Sequence, residues 1–190
     1  MTQSAPKASA SKTRLGYIGL GNMGAPMAQR LLDWPGGLVV CDARAEALEP
    51  FTAAGASAAS TPADVAAQAS IISVTVLDDA QVREVVCGPH GILSTAQPGT
   101  VVAIHSTISD TTAVELADIC QQRGVLLVDA PISGGAGGAA QGRLAVMIGG
   151  SDEAFEAVRE PFGSWAELVV HAGDVGTGTR MKLARNLLHF

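Results

Sequence analysis

The sequence has 190 residues, of which 47% are hydrophobic and 16% charged, and its net charge is −6. That composition excludes a disordered chain or a long coiled coil, and the length suits one domain with a small appendage. An acidic balance without a basic stripe speaks against a duplex nucleic-acid or anionic-membrane partner, and no apolar run reaches the roughly 18 residues of a membrane span.

Residues 1–13 lack the apolar stretch of a secretory signal and read as a flexible tail. Beyond them, short β-rich runs are expected at 14–19, 38–42, 70–76, 100–105, 125–129, 144–148 and 167–171. Helical stretches are expected at 24–33, 45–54, 62–68, 79–86, 110–122 and 152–161. This alternation argues for an α/β fold, a doubly wound Rossmann-type and mostly parallel sheet with helices on both faces. The runs are continuously apolar, as in Ile71-Ile72-Ser73-Val74-Thr75-Val76, which fits strands covered on both sides. The dinucleotide-binding domain is expected to span 14–175. A last helix, opened by two glycines at 176 and 178, should occupy 179–190. It stops on Leu187, Leu188, His189 and Phe190 with no Gly or Asn cap, and so reads as cut mid-helix. Cys41, Cys87 and Cys120 have no paired spacing and read as free thiols of a reducing cytosol, so a cytoplasmic protein is expected. No histidine has metal-ligand spacing with a cysteine or carboxylate, so no metal is expected.

The strongest local signal is Gly19-Leu20-Gly21-Asn22-Met23-Gly24, placed after a strand and before a helix. In that context Gly19 serves a tight turn, Gly21 lets backbone approach a pyrophosphate, and Gly24 packs the helix on the sheet. Asp42 ends the second strand and suits the adenosine ribose hydroxyls, which favours NAD over NADP. Arg44 is either a solvated residue at a helix start or a partner for a 2′-phosphate. A second constellation, Ser133-Gly134-Gly135, follows a strand end and can expose consecutive N–H groups to a carboxylate, or it is a mobile surface loop. In the third, Gly176-Thr177-Gly178-Thr179-Arg180-Met181-Lys182-Leu183-Ala184-Arg185-Asn186, Lys182 and Asn186 share one helical face. By base rate such a Lys is a solvated one.

The three motifs together, GLGNMGAPMAQRL at 19–31, DAPISGGAGGAAQGRLAVMIGG at 129–150 and GTGTRMKLARN at 176–186, resemble the β-hydroxyacid dehydrogenase family, of the 3-hydroxyisobutyrate dehydrogenase type. The resemblance implies an N-terminal Rossmann domain, an interdomain helix and an all-α C-terminal domain that this sequence lacks. It implies Lys182 as catalytic residue and Asn186 as its companion on the substrate, with the carboxylate of a small β-hydroxyacid on Ser133, Gly134 and Gly135. The cofactor would lie on Gly19 to Gly24, Asp42 and Arg44, and on Val76 and Leu77. In the segment His105-Ser106-Thr107-Ile108-Ser109, Thr107 is expected near the nicotinamide end and Ser106 near substrate. Homo-oligomers are implied for full-length members.

Two departures from the family stand out. Asp110 replaces a common Pro and is expected to cap the helix that follows. Val76-Leu77-Asp78-Asp79 replaces a Leu-Pro-Asn-like turn and brings acidic side chains close to the cofactor's place. The alternatives to an NAD-dependent β-hydroxyacid dehydrogenase are a non-catalytic dinucleotide-binding fragment, an imine reductase, against which Lys182 speaks, and a 6-phosphogluconate dehydrogenase relative.

Overall fold

The computed structural model describes residues 13–188. The expected N-terminal tail, Thr13 excepted, and the last two residues of the expected terminal helix lie outside the described residues. In chain order the elements are β1 (Leu15–Ile18), α1 (Gly24–Gln29), β2 (Leu38–Cys41), α2 (Glu49–Ala53), β3 (Ser57–Ala58), α3 (Pro62–Ala66), β4 (Ile71–Val74), α4 (Asp79–Cys87), β5 (Val101–Ile104), α5 (Asp110–Gln121), β6 (Leu126–Asp129), β7 (Ile132–Ser133), α6 (Gly135–Ala140), β8 (Leu144–Gly149), α7 (Asp152–Phe162), β9 (Ala166–Gly173) and α8 (Thr177–Leu187).

Six strands pair in parallel in the order β3-β2-β1-β4-β5-β6. The chain starts in the middle, winds to one edge, and returns to wind to the other, which is the doubly wound order. β8 then runs antiparallel to β6 and β7, and β9 pairs parallel with β8. β6 and β7 face β8 in one unbroken register, Asp129 opposite Gly149 and Ser133 opposite Ala145. Pro131, which has no N–H, interrupts the strand, but its carbonyl still accepts from Met147 N–H at 3.1 Å.

Alternate residues of each strand enter different cores. Tyr17, Val101 and Ala103 pack with Met27, Val158, Phe162 and Trp165 on one face. Ile18, Val102 and Ile104 pack with Val65, Val82 and Leu116 on the other. The continuous apolar runs of the sequence therefore have cover on both sides. Helices start where side chains can replace missing backbone partners: Thr61 accepts from Asp64 N–H, Asp78 from Gln81 N–H, Ser109 from Thr111 N–H and Ser151 from Ala154 N–H. Among the described residues no helix is long and apolar enough to cross a membrane.

Several expectations need correction. β3 and β7, of two residues each, carry no hydrophobic alternation and were not foreseen. The glycine-rich stretch after Ser133, foreseen as a turn or loop, is α6. Glycine costs a helix interior roughly 1 kcal/mol per residue against alanine, but this helix packs against α1 and β8 with Ala139 buried in the core. Asp110 is not the cap of α5; Ser109 is, and Asp110 turns to Arg180 of α8, whose Nε donates to it at 2.7 Å.

His105 follows β5 and is fully inside the core, its ring edge-on to Phe162 and Trp165. Nδ1 lies 2.9 Å from Ala130 O, which can only accept, so Nδ1 carries the proton and Nε2 accepts from the Ser73 hydroxyl at 3.0 Å. Burial pushes its pKa down to about 4. The unfolded ring titrates near 6.5, so below that pH the unfolded chain binds a proton that the folded one refuses. His105 therefore supports the fold fully above pH 6.5 and progressively less as pH falls toward 4, a loss of about 3 kcal/mol. Urea unfolding at pH 7 and pH 4 should show wild type losing more stability than His105→Gln by about that amount; equal losses would remove His105 as the source.

Candidate functional site

A cleft of about 710 Å³ opens at the carboxyl ends of β1, β2 and β4. This is where the strand order reverses, so the loops leaving β1 and β4 diverge and leave a crevice. Its floor is the Gly-rich loop. Gly19 has φ +93°, and a Cβ there would lie 2.1 Å from Thr75 O; a Cβ on Gly24 would lie 1.9 Å from Gly19 O. Both glycines are demanded by the fold. Gly21 is different, because a Cβ there would meet no protein atom within 4 Å. That space faces the cleft, as an approaching pyrophosphate requires.

Asp42 closes one end of the cleft. Its Oδ2 accepts from Leu20 N–H at 2.6 Å, and its Oδ1 accepts from the backbone N–H of Arg44 at 2.9 Å and from Arg44 Nε at 3.2 Å. Burial works to raise its pKa, but these N–H groups and the Arg44 charge outweigh burial and hold the carboxyl below its ordinary value. Arg44 Nη2 reaches back to Leu20 O at 3.2 Å. Asp42 and Arg44 are thus one ion-paired unit across the first turn of the Gly-rich loop. Cys41, whose sequence marks it only as a free thiol, also lines the cleft, as do Ser60, Gln81 and Glu84, which no motif picks out. Their sole sequence signal for this place was proximity to strand ends and to the start of α4.

The loop after β4 lines the cleft with Val76 and Leu77, and the loop after β5 is tied to it from behind. Val76 N–H donates to Ser106 Oγ at 2.9 Å, and Ser106 Oγ donates to Val76 O at 2.8 Å. The Ser106 hydroxyl, expected near substrate, is engaged with backbone and ties the two loops together. Thr107 is exposed beside it, and Leu77 is 84% exposed. The acidic pair of this turn faces elsewhere. Asp78 caps α4, while Asp79 Oδ1 accepts from Thr112 Oγ1 at 2.5 Å and from Ser109 N–H at 3.1 Å.

Ser133 ends β7, Gly134 (φ +129°) caps α6, and Gly135 is the first residue of α6. The third motif meets this segment through α8. Asp129, fully buried at the end of β6, accepts from Gly176 N–H and from Thr179 N–H, each at 2.7 Å. Burial raises the Asp129 carboxyl above its ordinary value, against the amides that favour its charge. The contact needs glycine at 178, where a Cβ would lie 2.4 Å from Met147 O and 2.6 Å from Asp129 O. Docked in this way, α8 lays Arg185 on Ser133, Nη1 donating to Oγ. Lys182 and Asn186, one turn apart, are half-buried on the same helix. Burial and then the Arg185 charge lower the Lys182 pKa below that of an ordinary lysine.

Comparison with known proteins agrees with this architecture. Residues 14–173 match the family model described as the NAD binding domain of 6-phosphogluconate dehydrogenase. An uncharacterised oxidoreductase of Mycobacterium tuberculosis is 62% identical over 93% of this chain and 60% of its own length. The mitochondrial 3-hydroxyisobutyrate dehydrogenase of Bos taurus is 40% identical over 94% of this chain and 53% of its own length. Among solved structures, a Mycobacterium tuberculosis 3-hydroxyisobutyrate dehydrogenase with L-serine superposes with a TM-score of 0.86 at 31% identity, covering 93% of this chain and 60% of that one. The chain thus spans between 53% and 60% of the length of these relatives.

The docking of α8 can be tested apart from any ligand. Gly178→Ala should cost about 1–3 kcal/mol by overpacking against fixed backbone, and should speed amide exchange at Thr179 and Arg180. Gly21→Ala, with open space at its Cβ, is the matched control and should leave urea unfolding unchanged.

Proposed function

The chain belongs to the family of the NAD binding domain of 6-phosphogluconate dehydrogenase, and we propose that it serves the interconversion of a small β-hydroxyacid and its semialdehyde, with NAD in the cleft above the Gly-rich loop. The observation that supports this reading is the junction of the second and third motifs, where α8, the helix that carries Lys182 and Asn186, docks on Asp129 and sets Arg185 on Ser133. A dinucleotide-binding module would need the cleft alone.

The cleft fits a dinucleotide. Gly21 leaves room for the pyrophosphate, Asp42 offers carboxylate oxygens to ribose hydroxyls, and Val76, Leu77 and Thr107 stand at the nicotinamide end. When bound, the nicotinamide supplies the hydride acceptor or donor. The chain supplies the rest. Lys182 takes the proton of the substrate hydroxyl at Nζ, and in reduction returns it to the carbonyl oxygen. A base must be partly neutral near pH 7, and both burial and the Arg185 charge push Lys182 that way. Asn186, four residues on, orients the substrate oxygen toward Nζ. The N–H groups of Gly134 and Gly135 and the Ser133 hydroxyl hold the substrate carboxylate. Ser106 acts behind them by fixing the Val76 loop against the Thr107 loop.

NADP is the second reading for the cofactor, because Arg44 lies at the mouth of the cleft with 56% of its side chain exposed. Its guanidinium is already held by Asp42, and a 2′-phosphate would have to displace that carboxylate. NADH should therefore bind more tightly than NADPH in a fluorescence titration; equal or tighter NADPH binding would transfer the role to Arg44. Gly21→Val should abolish NADH binding and leave the melting temperature in place; retained affinity would put the cofactor elsewhere. With a panel of small β-hydroxyacids and NAD, Lys182→Ala should lower kcat by about 100- to 10,000-fold with NADH affinity unchanged. A fall in NADH affinity alone would remove Lys182 from the chemistry.

A further inference from the structure

We propose that Arg185 is a specificity residue of the same site, a guanidinium that takes the substrate carboxylate together with Ser133 and so selects acids over neutral alcohols or carbonyl compounds. This rests on the function proposed above and adds to it the cationic side chain that meets the substrate carboxylate.

Two independent observations point to Arg185. The first is placement. Lys182, Arg185 and Asn186 stand at i, i+3 and i+4 on α8, one face of the helix, and Arg185 alone of the three has a defined contact with the second motif, Nη1 on Ser133 Oγ. The second is charge. Among the described residues, the α8 cation Arg180 is matched by Asp110 at 2.7 Å. Arg185 has no carboxylate partner among the described residues; its hydrogen-bond partner is a neutral hydroxyl. Arg185 as a residue is half-buried, and its charge already weighs on Lys182. Two cations held side by side without an anion repel each other, and a bound carboxylate relieves that repulsion.

The geometry of the group suits the task. A guanidinium is planar and offers parallel N–H donors that match the two oxygens of a carboxylate, whereas an amide offers one acceptor and no charge. Ser133 is the hinge of the arrangement, since its hydroxyl can keep accepting from Arg185 while it donates to the incoming acid. The acid would then sit between Arg185 and the Gly134 and Gly135 amides, with its hydroxyl-bearing carbon directed along α8 toward Lys182.

The test is binding to the NADH-loaded chain, read by calorimetry, with 3-hydroxyisobutyrate and its uncharged primary amide as probes. Wild type should prefer the acid by about 10- to 100-fold, the worth of a charge-assisted pair. Arg185→Gln should bring that ratio close to one through loss of acid affinity, with amide and NADH affinities unchanged. Arg185→Lys, which keeps charge without the fork, should fall between. An Arg185→Gln ratio equal to wild type, in a wild type that binds the acid, overturns the inference and leaves the function standing. A wild type that holds NADH but neither probe overturns both.

Discussion

One buried carboxylate holds the molecule's two chemical halves together. Asp129 lies at the end of β6, out of water, and its two oxygens take the N–H groups of Gly176 and Thr179 at 2.7 Å. A charge buried in this way is costly unless hydrogen bonds and opposite charge compensate it. Here the compensation is the N-terminus of α8, with its free N–H groups and partial positive charge. The contact tolerates almost no side-chain volume, because Cβ atoms on Gly149 and Gly178 would each lie under 3 Å from neighbouring backbone or from Asp129 itself. The orientation of α8, and so the position of Lys182, Arg185 and Asn186, follows from this junction.

The same strand that ends on Asp129 continues into β7 and delivers Ser133. The antiparallel return of β8 is what makes this possible. Its register against β6 and β7 passes without slip across Pro131, so Asp129 and Ser133 are fixed relative to each other by a sheet rather than a loop. A site built on sheet and helix keeps its geometry more closely than one built on loops.

Polar ties extend from the cofactor cleft to α8. Ser106 joins the loop after β4 to the loop after β5. Asp79 joins the start of α4 to Ser109 and Thr112 of α5, and Asp110 joins α5 to Arg180 of α8. Each tie uses a residue for which capping or the family resemblance suggests a different duty. Asp110 reads as a helix cap, Ser106 as a substrate contact, and Asp79 as an intruder at the cofactor's place. Their actual partners lie about 30 to 70 positions away along the chain, a separation over which local pattern carries no information.

The sequence by itself determined what depends on neighbours in the chain. Continuous apolar runs, alternating with capped helical stretches, specified a parallel sheet covered on both faces. The spacing of Gly19, Gly21 and Gly24 between strand and helix, with Asp42 at the next strand end, pointed to the strand ends where the cleft opens. The spacing of Lys182 and Asn186 put both on one helical face. Tertiary structure decided the rest. It made α6 from a glycine-rich stretch whose propensity opposes a helix, where the segment packs against α1 and β8. It gave the α5 cap to Ser109 and sent Asp110 to Arg180, because a carboxylate goes to the cation that the packing of α8 brings within reach. It set Arg185 on Ser133 across 52 positions of chain. Propensity, periodicity and capping act over a few residues, whereas a hydrogen bond between distant residues exists only once the sheet has brought them together.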